Sequence, residues 1–251
     1  MGVMLKDKKV LVTGAGMGIG KAIALAAARE GAFVIAADLE ASSAESTVQL
    51  IGLAGGEALA LALDVSDFAG VEKAAAALGA HERRPDVLVN NAATWTIKPF
   101  LETGPADWER DLKVTLLGTL ICCRVFLPRM IERGHGSIVN IASDAARVGE
   151  TGWAVYSAAK GGVISFTKSL AREVGKSGIR VNAVSPGTTR TEKVKAFLPE
   201  ENQSKAARMY PLGRLAEPEE VAQAVVFLAS ERASFITGQV LSVSGGYTMA
   251  G

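Results

Sequence analysis

Lys9-Val10-Leu11-Val12-Thr13-Gly14-Ala15-Gly16-Met17-Gly18-Ile19-Gly20-Lys21-Ala22-Ile23-Ala24-Leu25-Ala26-Ala27-Ala28 is the stretch on which the fold of this chain turns. Its opening is a short apolar run with branched valines, the composition of a buried strand. Its end is rich in alanine, leucine and isoleucine with no breaker, the composition of a helix. Glycines stand between the two at Gly14, Gly16, Gly18 and Gly20. A strand that turns through glycines into a helix leaves backbone N–H groups free at the helix N-terminus, where a phosphate's negative charge is favoured. The spacing Gly14-x-x-x-Gly18-x-Gly20 differs from the Gly-x-Gly-x-x-Gly of most dinucleotide folds, but the strand–turn–helix context is the one such a motif needs. Gly14, Gly16, Met17, Gly18, Ile19 and Gly20 are therefore expected to cradle a dinucleotide. A glycine-rich turn without a ligand is the plainer alternative.

Outward from this unit, β-type apolar runs alternate with helical ones. The pattern predicts strands over 9–13, 33–38, 58–64, 87–90, 137–142, 180–184 and 240–243, and helices over 41–53, 71–78, 107–130, 155–174 and 217–229. Strands alternating with helices argue for an α/β fold, a doubly wound, seven-stranded parallel sheet flanked by helices. Residues 1–251 contain no repeat or low-complexity linker and are read as one domain. Ligands bind such folds at the carboxyl ends of the strands. The glycine loop, Asp38, Asp64, Asn90, Ser143 and Pro186 all fall at such ends, a clustering that core packing alone does not explain.

Tyr156 and Lys160 stand four apart and so share one helix face. A nearby cation favours phenolate and lowers a tyrosine's pKa toward the range of acid–base work. Ser143 precedes Tyr156 by thirteen residues, at the end of an apolar run, where a hydroxyl can donate to a substrate oxygen. Tyr-x-x-x-Lys alone is a weak signal, because ordinary surface helices produce it. It gains weight from the dinucleotide signature upstream.

Taken together, the glycine motif, Asp64, Asn90-Asn91-Ala92, Ser143, Tyr156, Lys160 and Pro186-Gly187 resemble the short-chain dehydrogenase/reductase family over nearly the whole chain. The resemblance implies an oxidoreductase in which Tyr156 is the general acid/base. Lys160 would lower its pKa and hold the nicotinamide ribose, and Ser143 would steady the substrate oxygen. It further implies that Asp64-Val65 meets the adenine, and that Asn91 and Ala92 lie beside the cofactor. Pro186, Gly187, Thr188, Thr189 and Thr191 would approach the nicotinamide and phosphates, and 188–212 would form a mobile substrate lid. Family members usually carry asparagine seven residues after the tryptophan of the preceding helix. Counting from Trp108 reaches Thr115, whose hydroxyl is expected to rebuild the water relay that the asparagine serves. A homotetramer, or a homodimer, is the assembly implied.

Asp38 ends the second strand, eighteen residues after Gly20, where a carboxylate can accept hydrogen bonds from ribose hydroxyls and repel a 2′-phosphate. Leu39 and Met17 occupy places where relatives that bind NADP usually carry a basic residue. Both cues point to NAD; a helix cap is the alternative role for Asp38.

The formal net charge is +1, and no basic stripe interleaved with aromatics marks a nucleic-acid surface. No uninterrupted apolar stretch reaches the length of a membrane span. The start of the chain reads as polar rather than as a signal peptide. Cys122 and Cys123 are adjacent, and His81 and His135 are isolated, so neither a disulfide nor a metal site is expected. A cytoplasmic, metal-independent enzyme is the expectation.

At the substrate end, Trp95, Ala145, Trp153, Met209 and Tyr210 are expected to line a pocket with Ser143 and Tyr156, and Phe197 lies in the same lid. Aromatic walls suit a ring-bearing secondary alcohol or ketone; packing beneath loops or at a subunit contact is the alternative for the tryptophans. Residues 142–149 and 235–246 resemble those of 2-hydroxycyclohexanecarboxyl-CoA dehydrogenase, and the chain is similar to NAD-dependent 1-arylethanol dehydrogenases. Lys193, Lys195, Lys205 and Arg208 would suit a CoA substrate, leaving a hydroxyacyl-CoA dehydrogenase or 3-oxoacyl-thioester reductase as alternatives. A non-catalytic NAD-binding sensor is a more distant one.

Overall fold

The apolar run at Lys9 forms β1 (Lys9–Thr13), which pairs on both sides with parallel strands. A computed structural model describes residues 3–249; the extreme ends of the predicted 1–251 domain and the Phe197 side chain lie outside the described residues. The other strands are β2 (Phe33–Asp38), β3 (Glu57–Ala62), β4 (Val87–Asn90), β5 (Gly136–Ile141), β6 (Ile179–Pro186) and β7 (Val240–Val243). Their order is β3-β2-β1-β4-β5-β6-β7, and every pairing is parallel. The expected seven-stranded doubly wound sheet is the fold observed.

Parallel strands bury both faces, which is why β1 reads as a continuous apolar run rather than an alternating one. Successive side chains still point to opposite sides. Val10 and Val12 face a core built with α1 (Gly18–Arg29) and α10 (Pro218–Ala229). Leu11 faces a second core, built with α3 (Phe68–Ala80), α5 (Gly118–Arg133) and α7 (Ala154–Val174). Each such side chain contributes roughly 1.5–3 kcal/mol by leaving water. Between β1 and β4 the winding reverses direction, and this opens a crevice at the carboxyl ends of the strands.

Two elements depart from the sequence expectation in ways that matter for the site. β3 ends at Ala62, so Asp64 lies in a turn beyond the strand, where its carboxylate accepts from Ser66 N at 2.8 Å and Ser66 Oγ at 2.7 Å. The expected helix 107–130 is three segments, α4 (Pro105–Leu112), a π turn (Lys113–Leu117) and α5. By length and composition Pro105–Arg133 would suffice to cross a membrane. Here Ile121, Cys122, Cys123, Phe126 and Met130 are packed in the second core instead. The remaining boundaries differ from expectation by a few residues. Beyond β6, α8 (Glu192–Phe197) and α9 (Glu200–Ala207) occupy the expected lid segment.

Candidate active site

The cleft between β1 and β4 encloses about 770 Å³ and runs from the glycine loop to Tyr156. At its dinucleotide end, Gly14 and Gly18 adopt left-handed backbone at φ 63° and 52°, which a side chain would strain. Gly20 has a different reason. A Cβ there would lie 2.0 Å from the Gly14 carbonyl oxygen, so α1 can approach the loop only with glycine at this position. The loop is held from across the crevice. Asn91 Nδ2 donates to the carbonyls of Thr13 (2.9 Å) and Gly14 (3.1 Å). Thr13 Oγ1 accepts from the backbone of Asn91 (3.0 Å) and Ala92 (3.1 Å). Thus Asn91, expected beside the cofactor, also ties β1 to β4.

The first turn of α1 contains no acidic residue, so its positive end opens unneutralised onto the cleft. Asp38 does not cap α2 (Ala41–Leu53), whose N-cap is Glu40. Its carboxylate accepts from Gly16 N at 2.8 Å and Glu40 N at 3.1 Å, and the residue lines the cleft with Leu39, Asp64 and Val65. Met17 and Leu39 are exposed at the cleft edge, with no basic residue in their places. A glycine cradle at an unneutralised helix end, with a carboxylate one strand over, fits the pyrophosphate and ribose of a dinucleotide.

At the other end, α7 brings Tyr156 and Lys160 to one face, and the turn after β5 brings Ser143 opposite. Lys160 is 2 % exposed, and its Nζ donates to the Ile141 carbonyl at 2.5 Å. Burial depresses its pKa to about 7. Burial also pushes the Tyr156 phenol up to about 12, against the opposing pull of the Ser143 hydroxyl and with a smaller upward push from Glu150. The lowered tyrosine pKa expected from Lys160 is therefore not a property of this cleft by itself. Desolvation outweighs a cation whose own charge is disfavoured by the same burial. Next to Ser143, the buried Asp144 carboxylate accepts from Ser185 Oγ (2.6 Å) and Ser242 Oγ (2.7 Å), which fixes this turn against β6 and β7.

Trp95, Trp153 and Tyr156 form one aromatic cluster. The Trp95 and Trp153 ring centroids are 6.1 and 5.3 Å from that of Tyr156, both edge-on, and 6.4 Å from each other. Both tryptophans and Ala145 line the cleft. Two expected pocket residues do not. Met209 is 58 % exposed and does not line the cleft. Tyr210 is buried behind the wall, where its hydroxyl accepts from Thr188 N at 2.8 Å and its ring stacks on Tyr247. It supports the Pro186-Gly187-Thr188 turn: a Cβ on Gly187 would press within 2.9 Å of the Tyr210 ring. Thr189 and Thr191 line the cleft, and Thr191 also caps α8 by accepting from Val194 N.

Thr115 is likewise not brought into the cleft. It is fully buried in the π turn, where its hydroxyl donates to the Thr94 carbonyl (2.9 Å) and accepts from Thr94 N (3.1 Å). Committed to both ends of one residue, it positions the segment that carries Trp95 rather than facing Lys160. Sequence reasoning missed Glu150, which lines the cleft between Ser143 and Tyr156. Its place in the short connection joining two expected site residues is the signal that marks it. Lys193, expected either to suit a CoA substrate or to sit on the lid's solvated face, lines the cleft with its Nζ 4.7 Å from the Trp95 ring centroid.

A family model described as enoyl-(acyl carrier protein) reductase matches residues 14–248. The chain is 42 % identical to a D-threitol dehydrogenase of Mycolicibacterium smegmatis, over 98 % of this chain and 94 % of that one. It is 42 % identical to a cis-4-hydroxycyclohexanecarboxylate dehydrogenase of Sinomonas cyclohexanicum, over 99 % of both chains. Among solved structures, a 3-oxoacyl-[acyl-carrier protein] reductase with bound NAD from Brucella melitensis superposes with a TM-score of 0.91. That pair is 36 % identical and covers 99 % of this chain and 94 % of the other.

Proposed function

The chain belongs to the short-chain dehydrogenase/reductase family of oxidoreductases, and from that premise we propose that it interconverts a ring-bearing secondary alcohol and its ketone with NAD. One observation carries this reading. Ser143, Tyr156 and Lys160 line one end of a cleft, with Trp95 and Trp153 edge-on to the Tyr156 ring, and the other end is the glycine cradle with Asp38. A bound nicotinamide dinucleotide supplies the hydride acceptor. The Gly14–Gly20 loop and the N-terminus of α1 would hold its pyrophosphate, Asp38 its adenosine ribose, and Asp64-Val65 its adenine. Pro186, Gly187, Thr188 and Thr191 bound the nicotinamide side.

Ser143 donates to the substrate oxygen and orients it toward Tyr156. Tyr156 accepts the hydroxyl proton during oxidation and returns it during reduction. Its elevated pKa makes it a strong base once ionised but keeps it protonated at neutral pH, so alcohol oxidation accelerates as pH rises. Lys160 serves as the cation that stabilises the phenolate when the site is filled. The aromatic walls favour a flat or alicyclic substituent on the carbinol carbon, consistent with the resemblance to 1-arylethanol dehydrogenases. Acting in the cytoplasm as a homotetramer completes the reading; Leu112 and Leu117, left exposed at the end of α4 and in the π turn, support an assembly.

Lys193 over the cleft favours a second reading, a hydroxyacyl thioester as substrate. The experiment that separates them follows NADH formation from NAD⁺ with 1-phenylethanol, cyclohexanol and 2-hydroxycyclohexanecarboxyl-CoA. Turnover of the free ring alcohols supports the first reading. Turnover of the thioester alone replaces it with the second.

A further inference from the structure

The proposed reaction leaves Glu150 without a task. It stands between α6 (Ala145–Val148) and α7, and lines the cleft beside Ser143, Trp153 and Tyr156. Its charge is felt at the Tyr156 phenol, which places the carboxylate within electrostatic reach of the reacting oxygen. It is half-buried, and desolvation raises its pKa while the Tyr247 hydroxyl works to hold its charge. The tyrosine is itself fixed, for the Tyr247 ring stacks on Tyr210 at 5.0 Å and Tyr210 is bonded to the Thr188 backbone. The Tyr247–Tyr210 stack thus links the surroundings of Glu150 to the turn on the expected nicotinamide side.

An ionised carboxylate is acceptor-only, with about four lone-pair sites, and the Tyr247 hydroxyl helps to hold its charge. The acceptor capacity that remains suits a donor on the ligand. A substrate carboxylate or phosphate here would meet like charge. An ammonium would meet Lys193, which lies over Trp95 on the facing wall. A neutral hydroxyl satisfies both walls. We infer that Glu150 is a specificity-determining residue that accepts a hydrogen bond from a second hydroxyl of the substrate, making a neutral ring diol the preferred alcohol. This rests on the dehydrogenase reading above.

The test compares kcat/KM, with NAD⁺, for cyclohexanol and for the vicinal and para cyclohexanediols. It uses the wild-type protein and the variants Glu150→Leu, Glu150→Gln and Tyr247→Phe. Sites built to bond a substrate hydroxyl discriminate strongly against analogues lacking it, and a half-buried acceptor is expected to give a preference of about tenfold or more for at least one diol. Glu150→Leu should bring that preference close to unity, mainly through KM. Glu150→Gln keeps one acceptor oxygen and should retain part of it. A merely structural role would lower both alcohols alike and leave the ratio unmoved. Should Glu150→Leu fail to fold, Tyr247→Phe, which frees the carboxylate from its support, must still reduce the ratio. Turnover of cyclohexanol without preference for any diol, or a preference that survives Glu150→Leu, overturns the inference alone. Absence of turnover with every alcohol overturns the dehydrogenase reading together with it.

Discussion

The two ends of the cleft are made of different material. The dinucleotide end is built from backbone: glycines that turn and pack, carbonyls gripped by Asn91, a helix terminus and one carboxylate held by Gly16 N. The Tyr156 end is built from side chains delivered by separate segments, Trp95 after β4, Ser143 after β5, Trp153 and Tyr156 at the start of α7, and Lys193 on α8. A backbone site is specified locally, because glycine is needed wherever the chain must turn or come close. A side-chain site depends on where loops come to lie. The comparison teaches that the first should tolerate little change and the second should be adjustable.

The largest expected effect separates chemistry from binding. Tyr156→Phe removes the proton acceptor and should lower kcat by about 10²–10⁴-fold, the usual range for acid–base catalysis. The Kd for NAD⁺, measured by calorimetry, should move little, because the dinucleotide end is untouched. If both fall together, the two ends are not independent. Next, Asp38→Asn removes the charge proposed to accept from ribose. Hydrogen bonds to charged groups contribute about 1.5–3 kcal/mol, so the NAD-over-NADP preference in kcat/KM should drop roughly tenfold to a hundredfold. An unchanged preference would show that Asp38 serves only the backbone of Gly16 and Glu40.

Lys160 offers a pH-dependent test. Folding lowers its pKa from 10.5 to about 7, so the unfolded chain binds more protons between these values and stability gains with rising pH. The penalty is therefore full below about pH 7 and gone above the unfolded value. Lys160→Met should raise the Tm of the cofactor-free protein by several degrees at mildly acidic pH, with the gain shrinking as pH approaches 10. A gain that is the same at both ends of that window would mean that charge is not what burial penalises. The smallest effect belongs to Thr115→Val, which removes both bonds to Thr94. It should raise KM for a ring alcohol about two- to fivefold while kcat holds, since net hydrogen bonds contribute about 1 kcal/mol. An equal fall in kcat would restore a catalytic part for this hydroxyl.

Legibility followed the same division. The seven strands and the glycine loop could be read from period and composition because they rest on local requirements. Tyr156, Lys160 and Ser143 were legible through spacing, which the helix and the strand end convert into convergence. Thr115 was singled out by a family spacing from Trp108, which could not foresee that its hydroxyl would be taken up by the Thr94 backbone. Met209 and Tyr210 were chosen for their side-chain type, but their direction depends on packing with Tyr247 and the Pro186 turn, which lie far away in sequence. Glu150 escaped notice because a carboxylate in a loop is ordinary until the loop closes over a cleft.

The π turn at Lys113–Leu117 has a consequence for how such a protein can change. Its hydrogen bonds span one residue more than those of an α-helix, so the turn stores a single surplus residue between two helices that are otherwise in phase. Losing that residue would let Pro105–Arg133 run on as plain helix, with Ile121, Cys122 and Phe126 still facing the core. What would be lost is the clamp on Thr94, and with it the setting of Trp95. The turn is a point at which the loss of one residue would reset the wall that carries Trp95 while leaving the helices on either side in place.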